Sequence, residues 1–314
     1  MDAILDLPAA LPPHDHAPLR PVPATTVFEW PPGTFVENLS PLPDGSLAVS
    51  VLSDARIDQV WPDGRREALA QFDMPVTGSV CIDDILFVAV GVPDQAPWSI
   101  WSVDLSTRAA KRLFEVNGAV FLNGVAALSP TVLLANESVH GQVLCIDLES
   151  GECTVWIEDE RLKPAPEAPF LPGANGLKIF GGYAYVSSNG RALFCRVPIA
   201  DDGGAGPLEV IADRLRADDL AFDLHGNAYL TTHIGHGLDR LTPAGERICL
   251  AGPSQGLAGS TACAFGSTDS DRKALYVTTT GGIIGPVDGV LQPARLVRLE
   301  VGTVGAPLLQ GTVA

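Results

Sequence analysis

Leu122-Asn123-Gly124-Val125-Ala126 and, 52 residues further on, Ala174-Asn175-Gly176-Leu177 are one pattern written twice, a short apolar strand opened by an Asn-Gly pair. Four more openings resemble them: Phe35-Val36-Glu37-Asn38-Leu39, Val76-Thr77-Gly78-Ser79-Val80, Asp218-Asp219-Leu220-Ala221-Phe222 and Ser260-Thr261-Ala262-Cys263-Ala264-Phe265. From Glu37 through residues 78, 123, 175, 218 and 260 the steps are 41, 45, 52, 43 and 42 residues. Each opening is followed by a second β-rich strand, such as Ile85–Val90 or Ala228–Leu230, and by a third, such as Ile100–Val103 or Leu296–Leu299. Pro-Asp-Gly at 43–45 and 62–64 and His225-Gly226-Asn227 supply hairpin turns. The period is that of a four-stranded propeller blade. The expected fold is therefore all-β: a six-bladed β-propeller of four-stranded antiparallel blades around a central channel. It occupies residues 25–314 as one domain, behind an extended Pro-rich leader at 1–24. The last blade has three clear strands, so either Thr25–Phe28 or Ala306–Leu309 must supply its fourth.

Composition narrows the function. The 314 residues carry 20 Lys plus Arg against 37 Asp plus Glu, a net charge of −17. Nucleic acids and anionic membranes are bound mainly through Lys and Arg, so neither is an expected partner. The 32 glycines and 26 prolines punctuate the chain too densely for a helical bundle. No apolar run approaches the roughly 18 residues of a membrane-spanning helix, and the first residues lack the pattern of a secretory signal. A cytoplasmic location and a monomer or weak homodimer are expected. The six cysteines lie in strand-like surroundings without a CxxC pair and read as reduced thiols, though Cys145 and Cys153 flank one tight turn.

In a propeller the first strand of each blade lines the channel, so its opening residues converge on one axis. Those positions hold Glu37, Asn123, Asn175 and Asp218, with Asp219 beside the last. Two carboxylates and two carboxamides in a narrow, partly desolvated mouth repel or go unsatisfied without a cation. Their oxygens suit one hard divalent ion, Ca²⁺ before others, and the lack of His or Cys argues against zinc. The competing reading is a water-filled channel with ordinary polar capping.

These segments, with Pro43-Asp44-Gly45 and Ala264-Phe265-Gly266…Leu275-Tyr276-Val277-Thr278-Thr279, resemble the SMP-30/gluconolactonase/luciferin-regenerating-enzyme family from about residue 28 to about residue 300. The resemblance implies a six-bladed propeller with a catalytic divalent cation at the channel mouth, and Glu37, Asn175 and Asp218 match its ligands. Related paraoxonase-type lactonases add two Asn ligands; Asn123 matches one, and Asp219 replaces the other. The Arg and Asn by which sugar lactonases hold substrate hydroxyls are missing: the stretch here reads Val116-Asn117-Gly118-Ala119-Val120-Phe121-Leu122-Asn123. Their absence argues against an aldonolactone as substrate. Phe121-Leu122-Asn123-Gly124 and Trp98-Ser99-Ile100-Trp101 are closer to a fungal and bacterial subgroup found in natural-product pathways, some members of which cyclise rather than hydrolyse.

The expected function is a metal-dependent hydrolase opening a lactone or ester of an apolar small molecule. The alternative is a non-hydrolytic cyclase or isomerase of natural-product biosynthesis in the same pocket. Asp218 or His233 would move the proton, while Phe121, Leu122, Glu137 and His236 would contact substrate. Gly252-Pro253-Ser254-Gln255-Gly256 fits the nucleophile-elbow pattern, but it joins two blades and lacks the strand-turn-helix setting that chemistry needs.

Overall fold

The computed structural model describes residues 11–307. Its 24 strands, β1 to β24 in chain order, form six four-stranded antiparallel sheets. Helix is confined to four 3-10 turns of three residues each. No helix among the described residues is long and apolar enough to cross a membrane.

The innermost strands are β2 (Val36–Pro41), β6 (Val76–Ile82), β10 (Leu122–Ser129), β14 (Ala174–Phe180), β18 (Leu220–Phe222) and β22 (Ser260–Phe265). They contact one another in a closed ring. Each of the first five blades then runs outward through the next three strands of the chain. The sixth is assembled from both ends: β22, β23 (Ala274–Thr279) and β24 (Pro293–Glu300) are completed by β1 (Ala24–Pro32). The β1–β24 register runs from Ala24 opposite Leu299 to Pro32 opposite Pro293. Of the two expected closing strands, Thr25–Phe28 is the one used. Ala306 instead donates its N–H to Phe222 O, and the end of the Ala306–Leu309 segment lies outside the described residues.

Six apolar clusters fill the six clefts between neighbouring blades. Both faces of an inner or second strand are thus buried, which is why Ile85–Val90 is an unbroken apolar run rather than an alternating one. Outermost strands such as Ala110–Val116 meet water and carry Lys and Arg. All six cysteines are free thiols, and only Cys195 and Cys263 are fully buried.

The described part of the leader is docked against the fifth blade. Leu19 forms a parallel bridge with Cys249 in β21 (Arg247–Ala251), flanked by Cys249 N–H to Pro18 O at 2.9 Å and Arg20 N–H to Cys249 O at 2.8 Å. It covers an edge that would otherwise offer unpaired backbone groups.

Candidate active site at the channel mouth

The inner strands break register where the candidate ligands stand. Pairing skips between Val36 and Asn38, between Leu122 and Val125, and between Ala174 and Leu177. The skipped residues include Glu37, Asn123 and Asn175. A β-bulge of this kind turns the local backbone out of the sheet and re-aims its side chains. The Asn-Gly pairs have a second cause. A Cβ at Gly124 would lie 2.5 Å from Asn175 O, and one at Gly176 would lie 2.5 Å from Asp218 O. Adjacent inner strands approach backbone to backbone there, so only glycine fits.

A belt of side chains fixes these openings around the axis. Ser50 Oγ donates to Thr77 O at 2.7 Å, Thr77 Oγ1 to Leu122 O at 2.8 Å, and Asn136 Nδ2 to Asn175 O at 2.8 Å. Ser187 Oγ donates to Asp218 O, Thr231 Oγ1 to Thr261 O at 2.7 Å, and Thr261 Oγ1 to Val36 O at 2.8 Å. Every blade is tied to the next, and the last to the first. The sequence gives no warning of this belt, because Ser, Thr and Asn at strand ends are common and their partners lie one blade away.

The acids do converge. Burial, then the charges of Asp218 and Asp219, push the Glu37 carboxyl well above the usual carboxylate range. Asp218 is buried and its Oδ2 lies 3.2 Å from His233 Nδ1. The His233 ring, also buried, meets Phe35 edge-on at 5.5 Å between centroids. Asp219 is different. Its Oδ1 accepts from Lys178 Nζ at 2.6 Å, while its buried Oδ2 has no partner. Burial raises its carboxyl despite the Lys178 ammonium. Lys178, on β14 three residues beyond Asn175, is the site residue that sequence reasoning missed: it falls 41 positions from its partner.

Asn123 and Asn175 are also buried, and no hydrogen bond to their side chains, or to that of Glu37, occurs among the described residues. Uncommitted carboxylate and carboxamide oxygens, with an orphaned Asp219 Oδ2, fit a hard divalent cation. No group of three His, Cys, Asp or Glu side chains among the described residues is arranged to hold a metal, so such a centre depends on the two carboxamides. Lys178 already neutralises part of Asp219.

Other expected contacts are displaced. Leu122 is fully buried in the cleft between the second and third blades, leaving Phe121, stacked on Trp98 at 5.8 Å, as the accessible member of the pair. Glu137 is buried and spent on structure: Oε1 accepts from the backbone N–H groups of Val120 and Phe121, and Oε2 from that of His140. It clasps the Phe121 loop rather than facing a substrate. His236 is half-buried, with Nδ1 accepting from Gly259 N–H at 2.9 Å; burial, then His233, lowers its basicity. The Gly252–Gly256 segment is a 3-10 turn between β21 and β22, with no helix behind Ser254.

The fold defines the class, a six-bladed propeller of the regucalcin and gluconolactonase architecture. Regucalcin from Agrobacterium tumefaciens, described as a calcium-binding protein, superposes with a TM-score of 0.72 at 15% identity, covering 95% of this chain and 100% of its own. Luciferin-regenerating enzyme gives 0.70 at 12% identity over 93% and 100% of the two chains. A gluconolactonase from Xanthomonas campestris gives 0.66 at 15% over 94% and 95%. No family model matches the chain. In sequence it is similar to a provisionally assigned hetero-Diels-Alderase from a Phoma species, 28% identical over 315 residues, 82% of this chain and 87% of that protein. A second such protein, from Sarocladium schorii, is 26% identical over 330 residues, 84% and 80% of the two chains.

Proposed function

We propose that the protein is a ring-closing enzyme that catalyses a hetero-Diels–Alder addition on an apolar, oxygen-bearing small molecule at the channel mouth. The observation that carries this reading is the pair of relatives at 28% and 26% identity over more than four-fifths of the chain, against 12–15% for the lactonase-like structures. It reverses the order expected from the ligand set alone, which put hydrolysis first.

The chemistry needs little from the protein beyond placement and polarisation. An oxygen-ended four-atom unit meets an alkene, two σ bonds form as three π bonds become one, and no group leaves. Holding the two partners in a reactive pose supplies most of the acceleration available to such a step. Phe121 and the Phe35–His233 pair offer apolar and aromatic surface for a flat substrate. His233, whose Nδ1 faces Asp218, leaves Nε2, 3.5 Å from Thr280 Oγ1, as the ring nitrogen that would donate to a substrate oxygen when the ring is protonated. Glu37, Asn123, Asn175 and Asp218 would hold a divalent cation, and a cation there draws electron density from a bound oxygen.

Hydrolysis of an apolar lactone or ester remains the second reading. The buried carboxylate–imidazole pair of Asp218 and His233 favours it, being a proton-accepting arrangement. A substrate panel separates the two: conjugated enones tethered to alkenes, apolar aryl and alkyl lactones, and gluconolactone, each with and without added Ca²⁺. Ring closure of the tethered enones to one stereoisomer, with the lactones left intact, is expected. Rapid opening of the lactones with no ring closure would replace the proposal by the hydrolase.

A further inference from the structure

Three successive blades carry the same Tyr–Arg pair across their second and third strands: Tyr185 opposite Arg196, Tyr229 opposite Arg240 and Tyr276 opposite Arg298. Two of the arginines meet a carboxylate. Arg196 Nε lies 2.7 Å from Glu209 on the strand opposite, and Arg298 Nε lies 3.0 Å from Glu300, two residues on. In the fifth blade both acid positions are lost: Ile248 stands opposite Arg240, and Thr242 stands two residues on. Arg240 pairs with no carboxylate among the described residues. Its Nε is packed out of solvent without a partner, while its terminal nitrogens make no hydrogen bond there and stay open.

A cavity of about 420 Å³ adjoins this arginine between the fifth and sixth blades. Its wall is made by the turn after β18, by Tyr229, Arg240 and Lys273, and by the Val301–Val304 segment that follows β24. That segment is strapped across both blades: Leu224 N–H donates to Val304 O at 3.0 Å, and Gly305 N–H to Arg272 O at 3.1 Å. The turn joins strands at the ends opposite their openings, so the cavity lies on the face away from the mouth. The acid in its wall, Asp223, is already occupied. Its Oδ1 accepts from the N–H groups of His225 and Asn227, and its Oδ2 from Asn227 Nδ2 and the Tyr229 hydroxyl. Lys273 has no carboxylate partner among the described residues, whereas Arg272 beside it meets Asp269 at 3.3 Å. In a chain of net charge −17, a guanidinium and an ammonium left unanswered at one cavity reverse the local sign. A fork beside a point charge suits a phosphate, which accepts at several oxygens and carries up to two charges. Exposed Leu224 adds apolar surface at the rim.

We propose that this cavity binds the phosphate group of a small molecule through Arg240 and Lys273, the phosphate taking the part that Glu209 and Glu300 play in the neighbouring blades. The site is separate from the mouth and does not depend on the reaction there.

The test is calorimetric titration of the full-length protein with inorganic phosphate and with phenyl phosphate, at constant ionic strength against chloride. Wild type is compared with Arg240→Gln, Lys273→Gln, Thr242→Glu and Arg272→Gln, and thermal unfolding verifies that each variant is folded. The expected result is one saturable site in wild type, weakened roughly tenfold or more in Arg240→Gln, the scale of a lost charge-assisted hydrogen bond. Lys273→Gln should weaken it several-fold. Thr242→Glu supplies the acid that the sixth blade has and should displace the ligand; it carries the test if Arg240→Gln does not fold. Arg272→Gln, whose arginine lies outside the cavity wall, should bind as wild type does. Tighter binding of phenyl phosphate than of phosphate would identify the ligand as an ester resting on Leu224, and equal binding would identify it as the free ion. No saturable binding of either probe by wild type would overturn the proposal. So would undiminished binding by folded Arg240→Gln or Thr242→Glu, or a loss in Arg272→Gln as large as that in Arg240→Gln.

Discussion

Asp219 and Lys178 illustrate how far single residues could be read. The position of Glu37, Asn123, Asn175 and Asp218 in or just before the openings of the innermost strands was legible, because the repeat brings those openings together. Lys178 was not, since its value comes from one contact across a blade boundary. Asp219, expected as a further ligand, instead spends one oxygen on that contact. Breaking a buried pair leaves an uncompensated charge, which typically costs about 3–5 kcal/mol. Lys178→Met should therefore destabilise by about 3 kcal/mol in urea unfolding, and adding Asp219→Asn should restore most of the loss. Single and double variants that are equally unstable would place the Lys178 effect in packing. Glu37 gives the complementary prediction. Glu37→Gln removes one oxygen charge from the mouth, so added Ca²⁺ should raise the melting temperature of wild type and do so much less in the variant. Glu137 and Leu122 were misread for one reason: sequence places them beside the mouth but does not say which way they turn. Glu137 turns to the backbone of its own loop and Leu122 into the cleft.

The inner strands were easy to locate, and their bulges were not. A period near 44 residues exposes the openings, whereas the skipped register and the glycine approach depend on the neighbouring blade. Gly176→Ala puts a Cβ 2.5 Å from Asp218 O and 2.6 Å from Asp219 Cα, both backbone atoms that cannot swing aside. It should cost more than an ordinary glycine replacement, about 3 kcal/mol by the scale of overpacking, and lower activity by shifting Asp218. Gly118→Ala, where no atom lies within 4 Å, controls for space, although its φ of +81° adds local strain. If Gly176→Ala is no worse than Gly118→Ala, the close approach is not what demands glycine. The leader also acts as an element. Burial, then the charges of Arg216, Arg247 and His16 against the weaker pull of Asp15, lowers His14 from the usual histidine value to about 4. The unfolded chain therefore binds more protons than the folded one between about pH 6.5 and pH 4, and the His14 contribution is present above that window and lost on descending through it. Because the ring is partly exposed, its share is about 1 kcal/mol after solvent screening. Asp239 nearby, raised to about 6 by burial, acts in the opposite sense. The clean readout is thus the difference between wild type and His14→Asn: it should favour wild type at pH 7 and shrink toward pH 4. A difference that stays flat with pH would mean that His14 docks by shape alone.

At the scale of the whole molecule, closure explains both what was predictable and what was left open. Six similar openings demanded six blades, and three strands in the last blade demanded a fourth. Sequence could not choose between two apolar segments of similar character; the choice falls to β1 because it reaches the register of β24 from Ala24 to Pro32. The ring of inter-blade hydrogen bonds then makes the mouth a property of the closed molecule, with candidate residues from four blades standing at the openings of its innermost strands. Sequence and fold pull the function apart at this scale. The architecture is shared with lactonase-like proteins, while the two curated relatives carry the name of a ring-closing enzyme. Water decides between them, because hydrolysis consumes it and cycloaddition does not. The most direct measurement is a turnover of the tethered enone and of an apolar lactone in ¹⁸O-labelled water, with product masses read at early times. The cycloaddition account predicts an isomeric product with no label and an unconsumed lactone. A product one water heavier and carrying ¹⁸O, formed faster with wild type than with Asp218→Asn, would contradict it.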